Sequence, residues 1–590
     1  MFFFRAMAIF DISINMAKLT GTGGNFTVSD PVFVNILAGE LRKSLKAAGK
    51  ASGSNKNPHS GPEPSPENVR ILKRSLDFRK GREPALGLRI AFCETPEEKG
   101  AENSGTASAV REPRYDRNDV IEAQRPVVAG FGPAGIFCAL TLARAGQRPV
   151  VVERGEDIDN RTGTVNRFWN GSPLDTESNV QFGEGGAGAY SDGKLTTLVK
   201  EKNSLGKKVL ETFVEFGAPE EILADAHPHI GTDLLRSIVK AMRLEIIRLG
   251  GSVLFRTKLT ELERKEGSIC AAVCESPEGR ITIETGAVFL AAGHAARDTF
   301  EMLLKSGVAL SPKPTAVGLR IEHPQKLIND TQYGKYSELL SGRYPAIYKL
   351  VSHPVSDAAG VNSSAFRSVF TFCMCPGGYV VDSSFERGGL VTNGMSYSKR
   401  DGGNANSAVL AGVSPSDYVP FEAFPGDPLS GISFLRSIER KAYELTSGSG
   451  ALPAQSFGEF AQSFNKNAAT HGSETDAYFE GFRTALCGKA QNADVARVFP
   501  DYVSTSLLNG ILHFDSMIPG FAHAGAILTA PETLSSSPVR IDRDPVNFES
   551  VNLSGLYPVG EGAGYAGGIT SSAIDGIKAA RKFIFKNCKW

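Results

Sequence analysis

The sequence predicts an α/β chain: a three-layer parallel-sheet domain split in sequence, a mixed α+β domain inserted in it, and a small α+β module in front. Three observations carry this. A strand, a glycine turn, a helix and a second strand follow one another over 126–152. A second strand–glycine turn–helix run returns at the far end of the chain, over 556–583. Between them, short strand-like runs at 253–255, 268–274 and 280–283, with Pro277-Glu278-Gly279 as a turn, read as a β-meander.

Bulk properties narrow the function classes. The length is 590 residues, which at roughly 150 per domain allows about four domains, or two to three with one large unit. Lys+Arg and Asp+Glu each number 64, so the net charge is zero and nothing draws the chain to a polyanion; no nucleic-acid partner is expected. No stretch reaches about 18 uncharged apolar residues, so no membrane span is expected. Eight scattered Cys are too sparse for a disulfide framework, and no pair-of-pairs spacing suggests a metal. A soluble intracellular protein in a reducing compartment follows, cytoplasmic or in the stroma of a plastid or similar organelle. Glycine is in excess at 63 residues, without a collagen period, which marks loops that turn tightly or approach a ligand closely.

Taken in order, residues 1–24 read as a disordered or targeting segment. Residues 1–60 hold seven Lys/Arg against Asp11, Asp30 and Glu40, a weakly transit-peptide-like balance. The small module covers 25–94. Ser29-Asp30-Pro31 opens a helix, with Ser29 as cap, that carries Val34, Leu37, Leu41 and Leu45; Val69–Lys73 and Ala85–Phe92 read as strands. Its insert 48–66 is Ser/Gly/Pro-rich and flexible, and 95–124 is a linker. The main body then divides into 125–315, a mixed domain 316–550, and a return at 551–590.

The first junction is specific because its context is complete. Pro126-Val127-Val128-Ala129 leads into Gly130-Phe131-Gly132-Pro133-Ala134-Gly135, then a helix ended by Gly146, then a strand ending at Glu153. Gly130 permits the tight turn, Gly132 lets backbone N–H groups approach a pyrophosphate, and Gly135 lets helix and strand pack. The helix start adds partial positive charge. Glu153 is placed to accept from both ribose hydroxyls. This is a Rossmann-like fingerprint. A second match, Gly183-Glu184-Gly185-Gly186-Ala187-Gly188, has no strand before it and no helix-plus-acid after it. It reads as a loop whose bare backbone lies against the same cofactor.

The distant second junction selects FAD over NAD. Leu556–Val559 is followed by Gly560-Glu561-Gly562-Ala563-Gly564-Tyr565-Ala566-Gly567-Gly568 and a helix from Ile569. An NAD domain needs no such element, whereas the ribityl and isoalloxazine of FAD extend past the pyrophosphate. Glu561 then bonds a ribityl hydroxyl. The helix start at Gly567, Gly568 and Ile569 faces the flavin edge that gains negative charge on reduction.

These residues resemble the glutathione-reductase-like flavoprotein superfamily, and more closely its uncharacterised FAD-dependent dehydrogenases of the NAD(FAD)-utilising type. The matching stretches include RPVVAGFGPAGIFCALTLARAGQRPVVVERG (125–155), NVQFGEGGAGAYSDGKLTT (179–197), AAGHAARDTFEML (291–303), FCMCPGGYVV (372–381) and GLYPVGEGAGYAGGITSSAIDGIKAA (555–580), with SLDFR (75–79) in the leading module. The resemblance implies non-covalent FAD contacts at Gly130, Gly132, Pro133, Ala134, Gly135, Glu153, Arg154, Gly183, Gly185, Gly186, Gly188, Gly293, Gly560, Glu561, Gly567, Gly568 and Ile569. It also places the meander as an adenine-side insertion. Leu534 stands where the family pattern has Arg, which points to a different substrate.

The residues for the chemistry are less specific, because hydride transfer belongs to the flavin. Lys194 is a candidate for the flavin N5 side or a substrate anion, against an ordinary ion pair. Cys373 and Cys375 are a candidate dithiol, against two small buried residues beside a turn. His294 and Arg297 are cofactor-side candidates, Asp298 reads as a helix cap, and Arg320, His323 and Lys349 read as solvated. Cys270 and Cys274 read as core, and His227 and His229 carry no metal argument. The leading expectation is an FAD-dependent dehydrogenase acting on a small molecule, with NAD(P)H as a transient donor. An oxygen-using oxidase or monooxygenase, and a non-catalytic redox sensor or assembly factor with its partner on the leading module, are the alternatives; a plain NAD dehydrogenase is disfavoured by the second junction.

Overall fold

The computed structural model describes residues 8–22, 26, 30–51, 69–78, 84–92, 125–197, 199, 204–353, 367–469 and 471–587, and divides into two units. Most of the expected flexible insert and nearly all of the expected linker lie outside the described residues, as does Arg79.

The first unit is built on an antiparallel sheet of β1 (Ala8–Asn15), β2 (Val69–Asp77) and β3 (Ala85–Phe92), in the order β1-β3-β2. Ile12 and Ile14 point into its core while Asp11 and Ser13 face out, the period-two pattern of a half-buried strand. Within the segment expected to be disordered or targeting, residues 8–15 instead form β1, which pairs with β3 along its whole length, Ala8 opposite Phe92 to Asn15 opposite Ala85; residues 1–7 and 23–24 of that segment lie outside the described residues. Ser29, the expected cap of helix α1 (Pro31–Ala51), lies outside the described residues; the Asp30 carboxylate, just before the helix, accepts from the N–H of Val32 (2.9 Å) and Phe33 (3.4 Å). Pro31 at the first helical position gives up an N–H that would have had no partner. Phe33, Leu37 and Leu41 form the buried stripe. Tyr336 and Leu340 complete this core, and Asp225 pairs with Arg74, so 219–228 and 329–346 belong to the unit although the sequence reading put them in the main body.

The second unit contains a five-stranded parallel sheet. Its strands are β4 (Val127–Ala129), β5 (Val150–Val152), β6 (Ser252–Leu254) and β10 (Val288–Leu290), with the last strand, Leu556–Pro558, on the outside of β10. The spatial order is last strand, β10, β4, β5, β6, so the chain reverses direction of growth beside β4. Ligands bind at the carboxyl ends of such sheets, at that switch point. Helix α2 (Pro133–Arg144) follows β4 and α3 (Ile158–Trp169) follows β5. The terminal helix, Ile569–Asn587, packs on α2 closely enough that a Cβ on Gly576 would lie 2.2 Å from the Ala134 oxygen. The meander is β7 (Lys258–Lys265), β8 (Ser268–Ser276) and β9 (Gly279–Glu284). The run at 253–255, expected to be its first strand, falls largely in β6 (252–254), which pairs with β5; Arg256, at φ +53, separates it from β7.

The same unit holds a seven-stranded sheet in the spatial order 351–352, 369–375, 404–413, 315–324, 527–532, 452–456 and 490–492. Its middle strand, Thr315–Pro324, is buried at every residue despite containing Arg320, Glu322 and His323. No described helix is long and apolar enough to cross a membrane.

Candidate functional site

A cavity of about 360 Å³ opens at the carboxyl ends of the parallel strands, and both glycine junctions line it. At the first, Gly130 sits at φ +102, and a Cβ there would lie 2.4 Å from the Ala291 carbonyl oxygen. A Cβ on Gly135 would lie 2.0 Å from the Gly130 oxygen, so this residue is needed for helix-to-strand packing and does not itself line the cavity. Gly132 differs: a Cβ there meets nothing nearer than the Gly186 Cα at 3.6 Å, and the residue faces the cavity with Pro133 and Ala134. No side chain caps the first turn of α2. Its amides and the positive end of the helix dipole are thus free for an anion.

The second junction converges on the first. A Cβ on Gly560 would lie 2.7 Å from the Ala134 Cβ, and one on Gly562 would lie 2.5 Å from the Gly293 carbonyl carbon. Glu561, Gly567, Gly568 and Ile569 line the cavity, as does Gly293; Gly560 sits behind them. Gly293 (φ +77) and Gly568 (φ +126) would each point a Cβ into open space.

The 183–188 loop closes the wall from a third direction. The Gly185 N–H donates to the Phe131 oxygen at 2.9 Å. Gly186 and Gly188 line the cavity, whereas Gly183 and Gly185 form the back of the loop. Arg161, fully buried, fixes this shape: its guanidinium donates to the carbonyls of Asn179 (2.9 Å), Val180 (2.9 Å), Glu184 (2.7 Å) and Gly186 (3.0 Å). The sequence reading missed this residue. Its only sequence signal is an Arg on the helix after the fingerprint strand.

Glu153 also ties the turns together. Its carboxylate accepts from the N–H of Phe131 (2.7 Å), Gly155 (2.9 Å) and Gly183 (2.9 Å), and it borders the cavity with only 4% exposure. Arg154 lies over the Phe182 ring at 4.1 Å and pairs with Glu177 and Asp298. Asp298, expected as a helix cap, is instead this counter-ion; Ala296 occupies the cap position of the helix Arg297–Lys305. Burial raises the Asp298 carboxyl, but Arg154 and Lys258 outweigh it and hold the group below its ordinary value.

His294 is the most telling side chain. It lines the cavity, is 9% exposed, and brings Nδ1 within 3.4 Å of Glu561 Oε1. Neither ring nitrogen has a hydrogen-bond partner among the described residues. A buried polar group without a partner costs about 1–3 kcal/mol, so this pair of nitrogens is built for a ligand.

On the opposite wall stand Lys194, Cys373, Asn393, Glu532 and Leu534. Lys194 donates to the Met374 carbonyl and lies 3.9 Å from Asp192, which is buried against Arg400. Arg320, expected on a solvated face, is wholly buried: it chelates Glu532 at 2.7 and 2.9 Å and also donates to Asn406 and Asn393. His323 is buried too, bonded to the Phe521 carbonyl, and burial lowers it to about 4. Arg297 is buried against Glu439 and Glu386. Lys349 is exposed, as expected. Cys270, expected in the core, faces solvent, while Cys274 is buried. Among the described residues no cluster of three His, Cys, Asp or Glu is arranged for a metal.

A protein of Clostridium beijerinckii described as uncharacterised is 43% identical over 524 residues, covering 88% of this chain and 92% of its own. Residues 314–535 match a family model described as FAD-dependent protein, C-terminal domain-like. The chain belongs to this FAD-dependent protein family. Among solved structures, a geranylgeranyl bacteriochlorophyll reductase-like protein from Thermoplasma acidophilum is 12% identical, covering 78% of each chain at a TM-score of 0.34. A glycerol-3-phosphate dehydrogenase from Bacillus halodurans, complexed with FAD, is 14% identical over 49% of this chain and 48% of its own, at a TM-score of 0.25. The bare cradle at Gly132, Gly293 and Gly568, together with the unpartnered His294, fits FAD.

Proposed function

We propose that this protein is an FAD-dependent dehydrogenase that passes hydride between a small-molecule substrate, or NAD(P)H, and flavin N5. The observation that supports it most is the meeting of two glycine junctions, from opposite ends of the main body, in one cavity. Bound FAD would supply the two-electron carrier. Gly130, Gly132, Pro133 and Ala134, with the uncapped start of α2, would hold the pyrophosphate. Glu153 and Arg154 would stand at the ribose side, and the 186–188 loop would lie along the cofactor. Glu561 and His294 would bond the ribityl chain, and the helix start at Gly568 and Ile569 would stabilise negative charge that develops on reduction.

The wall carrying Lys194, Asn393 and Leu534 is left for substrate. Lys194 offers a cation, and Leu534 makes the facing surface apolar. No second strand–glycine–helix junction with its own parallel sheet occurs among the described residues, so a nicotinamide donor would enter through the inserted domain. The test is to purify the full chain, record its absorption, identify the flavin released by heat, and screen metabolites and NAD(P)H for anaerobic bleaching. Yellow protein that releases FAD and bleaches with a metabolite or nicotinamide is the expected result. Colourless protein that binds NAD and no flavin would overturn the proposal.

A further inference from the structure

The strand Val369–Cys375 carries an irregularity whose position matters. Phe372 stands opposite Ala408 and Cys375 opposite Asn406, so three steps on one strand face two on the other. This is a β-bulge. Cys373 lies in it at φ +45, an uncommon conformation for a residue with a Cβ. The bulge turns Cys373 into the cavity wall and leaves Cys375 buried behind it.

A bulge also frees backbone carbonyls from the ladder, and here both are taken by cations. Lys194 donates to the Met374 carbonyl, and Arg320 Nη1 donates to the Cys373 carbonyl at 3.0 Å. The same Arg320 nitrogen lies 3.8 Å from the Cys375 sulfur. The Cys375 thiol donates to the Cys373 carbonyl at 3.2 Å, which keeps the two neighbouring cysteines together at the bulge. Two positive charges thus flank two neighbouring thiols.

We propose that Cys373 and Cys375 are a redox-active dithiol in the cavity wall, cycling between paired thiols and an intramolecular disulfide. The proposal takes its setting from the flavin reading but stands on the thiols themselves. The two groups are unequal. The neighbouring Cys375 side chain, together with the charges of Lys194 and Arg320, outweighs burial and holds the Cys373 thiol below its ordinary value. Burial, and then Cys373 itself, push Cys375 well above it. Cys373 is therefore the attacking thiolate and Cys375 the resolving thiol. With a small disulfide as oxidant, the Cys373 thiolate attacks one sulfur, forms a mixed disulfide and expels the other half as a thiolate. That thiolate takes the Cys375 proton. The Cys375 sulfur then attacks Cys373 and expels the second half. The protein loses two electrons, and one disulfide becomes a thiol, which carries the Cys375 proton, and a thiolate.

The experiment equilibrates flavin-loaded protein anaerobically in glutathione/glutathione disulfide buffers, quenches in acid, alkylates, and weighs the peptide carrying 373–375. The expected result is loss of both alkylation sites together across one midpoint, reversed by reduced glutathione. Cys375→Ser should stop at a glutathione adduct on Cys373. The alkylation rate of Cys373 should stay flat from about pH 7 to 9, where an ordinary thiol climbs about tenfold per unit as its thiolate fraction grows. Lys194→Met should restore part of that climb. Thiols that remain reduced in glutathione disulfide, in protein that keeps its flavin colour, would overturn the dithiol. Colourless protein that still forms the disulfide would overturn the flavin reading and leave the dithiol standing.

Discussion

Gly132→Ala separates the cofactor cradle from the fold. In the structure a Cβ at this position would find its nearest neighbour at 3.6 Å, ordinary van der Waals contact, and the backbone is extended at φ −80 and ψ −172, which alanine adopts freely. The cost to the empty protein should stay within about 1 kcal/mol, the scale on which the chain-entropy gain of Gly→Ala and the weaker capping by alanine offset each other. The same methyl group points towards the space where a pyrophosphate must approach the backbone. Overpacking of that kind costs about 1–3 kcal/mol, so FAD should bind about 5- to 150-fold more weakly. Gly135→Ala is the contrast, because its Cβ would meet the Gly130 carbonyl oxygen at 2.0 Å and its carbon at 3.0 Å, and it should not fold. The assay is a fluorescence titration of flavin-stripped protein with FAD, beside a thermal melt of each empty protein. Empty Gly132→Ala protein that melts like wild type and binds FAD as tightly would refute the placement of the phosphates at this turn.

Three further perturbations read other parts of the site. Arg161→Met removes donors from four carbonyls, and leaving a buried acceptor unsatisfied costs about 1–3 kcal/mol; urea unfolding should show a loss of at least that size, with early cleavage near 179–186, and a variant as stable as wild type would exclude the clamp. His294→Leu breaks no hydrogen bond of the empty protein, so its melt should hold while FAD affinity falls about tenfold, the weight of one ordinary hydrogen bond; a lowered melt with unchanged affinity would assign His294 to the fold. His323 is depressed from 6.5 to about 4 by burial, so its contribution is intact above pH 6.5 and is lost as the pH falls towards 4, because only the unfolded chain takes up the proton in that window. At about 1.4 kcal/mol per unit the loss is roughly 3 kcal/mol; unfolding of His323→Asn between pH 7 and 4 should show a flatter slope, and an unchanged slope would refute it.

The parts of this structure legible in the sequence are those where one residue type at one spacing has one mechanical reason. The fingerprint at 130–135 is of that kind: Gly130 and Gly135 are forced by atoms 2.4 and 2.0 Å away, and the helix and strand that follow were readable with them. The return at 556–583 was readable for the same reason. The leading strand was misread although Ile12 and Ile14 alternate with polar residues, because eight residues of pattern beside an apolar, basic terminus look as much like a targeting segment. Boundaries failed where local dihedrals decide them, as at Arg256 between β6 and β7. Buried charge was the least legible. Arg161 carries no signal of its own in the sequence, Arg297 reads as a cofactor-side candidate and Arg320 as solvated, since burial of an Arg depends on partners that are distant in the chain, such as Glu439 and Glu532.

Those buried charges share a geometry. Arg320–Glu532, Arg297–Glu439 and Arg400–Asp192 each join segments far apart in sequence, and each has a member in the cavity wall or next to one. Such pairs are poor evidence of stability, because desolvation of both ions offsets most of their attraction, and apolar replacements of equal volume are often as stable. What an apolar replacement lacks is direction. A guanidinium that chelates a carboxylate and donates to further oxygens admits few arrangements of its neighbours, whereas packed aliphatic chains admit several. Arg320 illustrates the consequence: Glu532 fixes its plane, and the remaining nitrogens then reach Asn393, Asn406 and the Cys373 carbonyl together. The cost of its burial therefore falls on the strand bulge whose conformation the cavity needs, and the charge it holds there is the one that the neighbouring thiols experience.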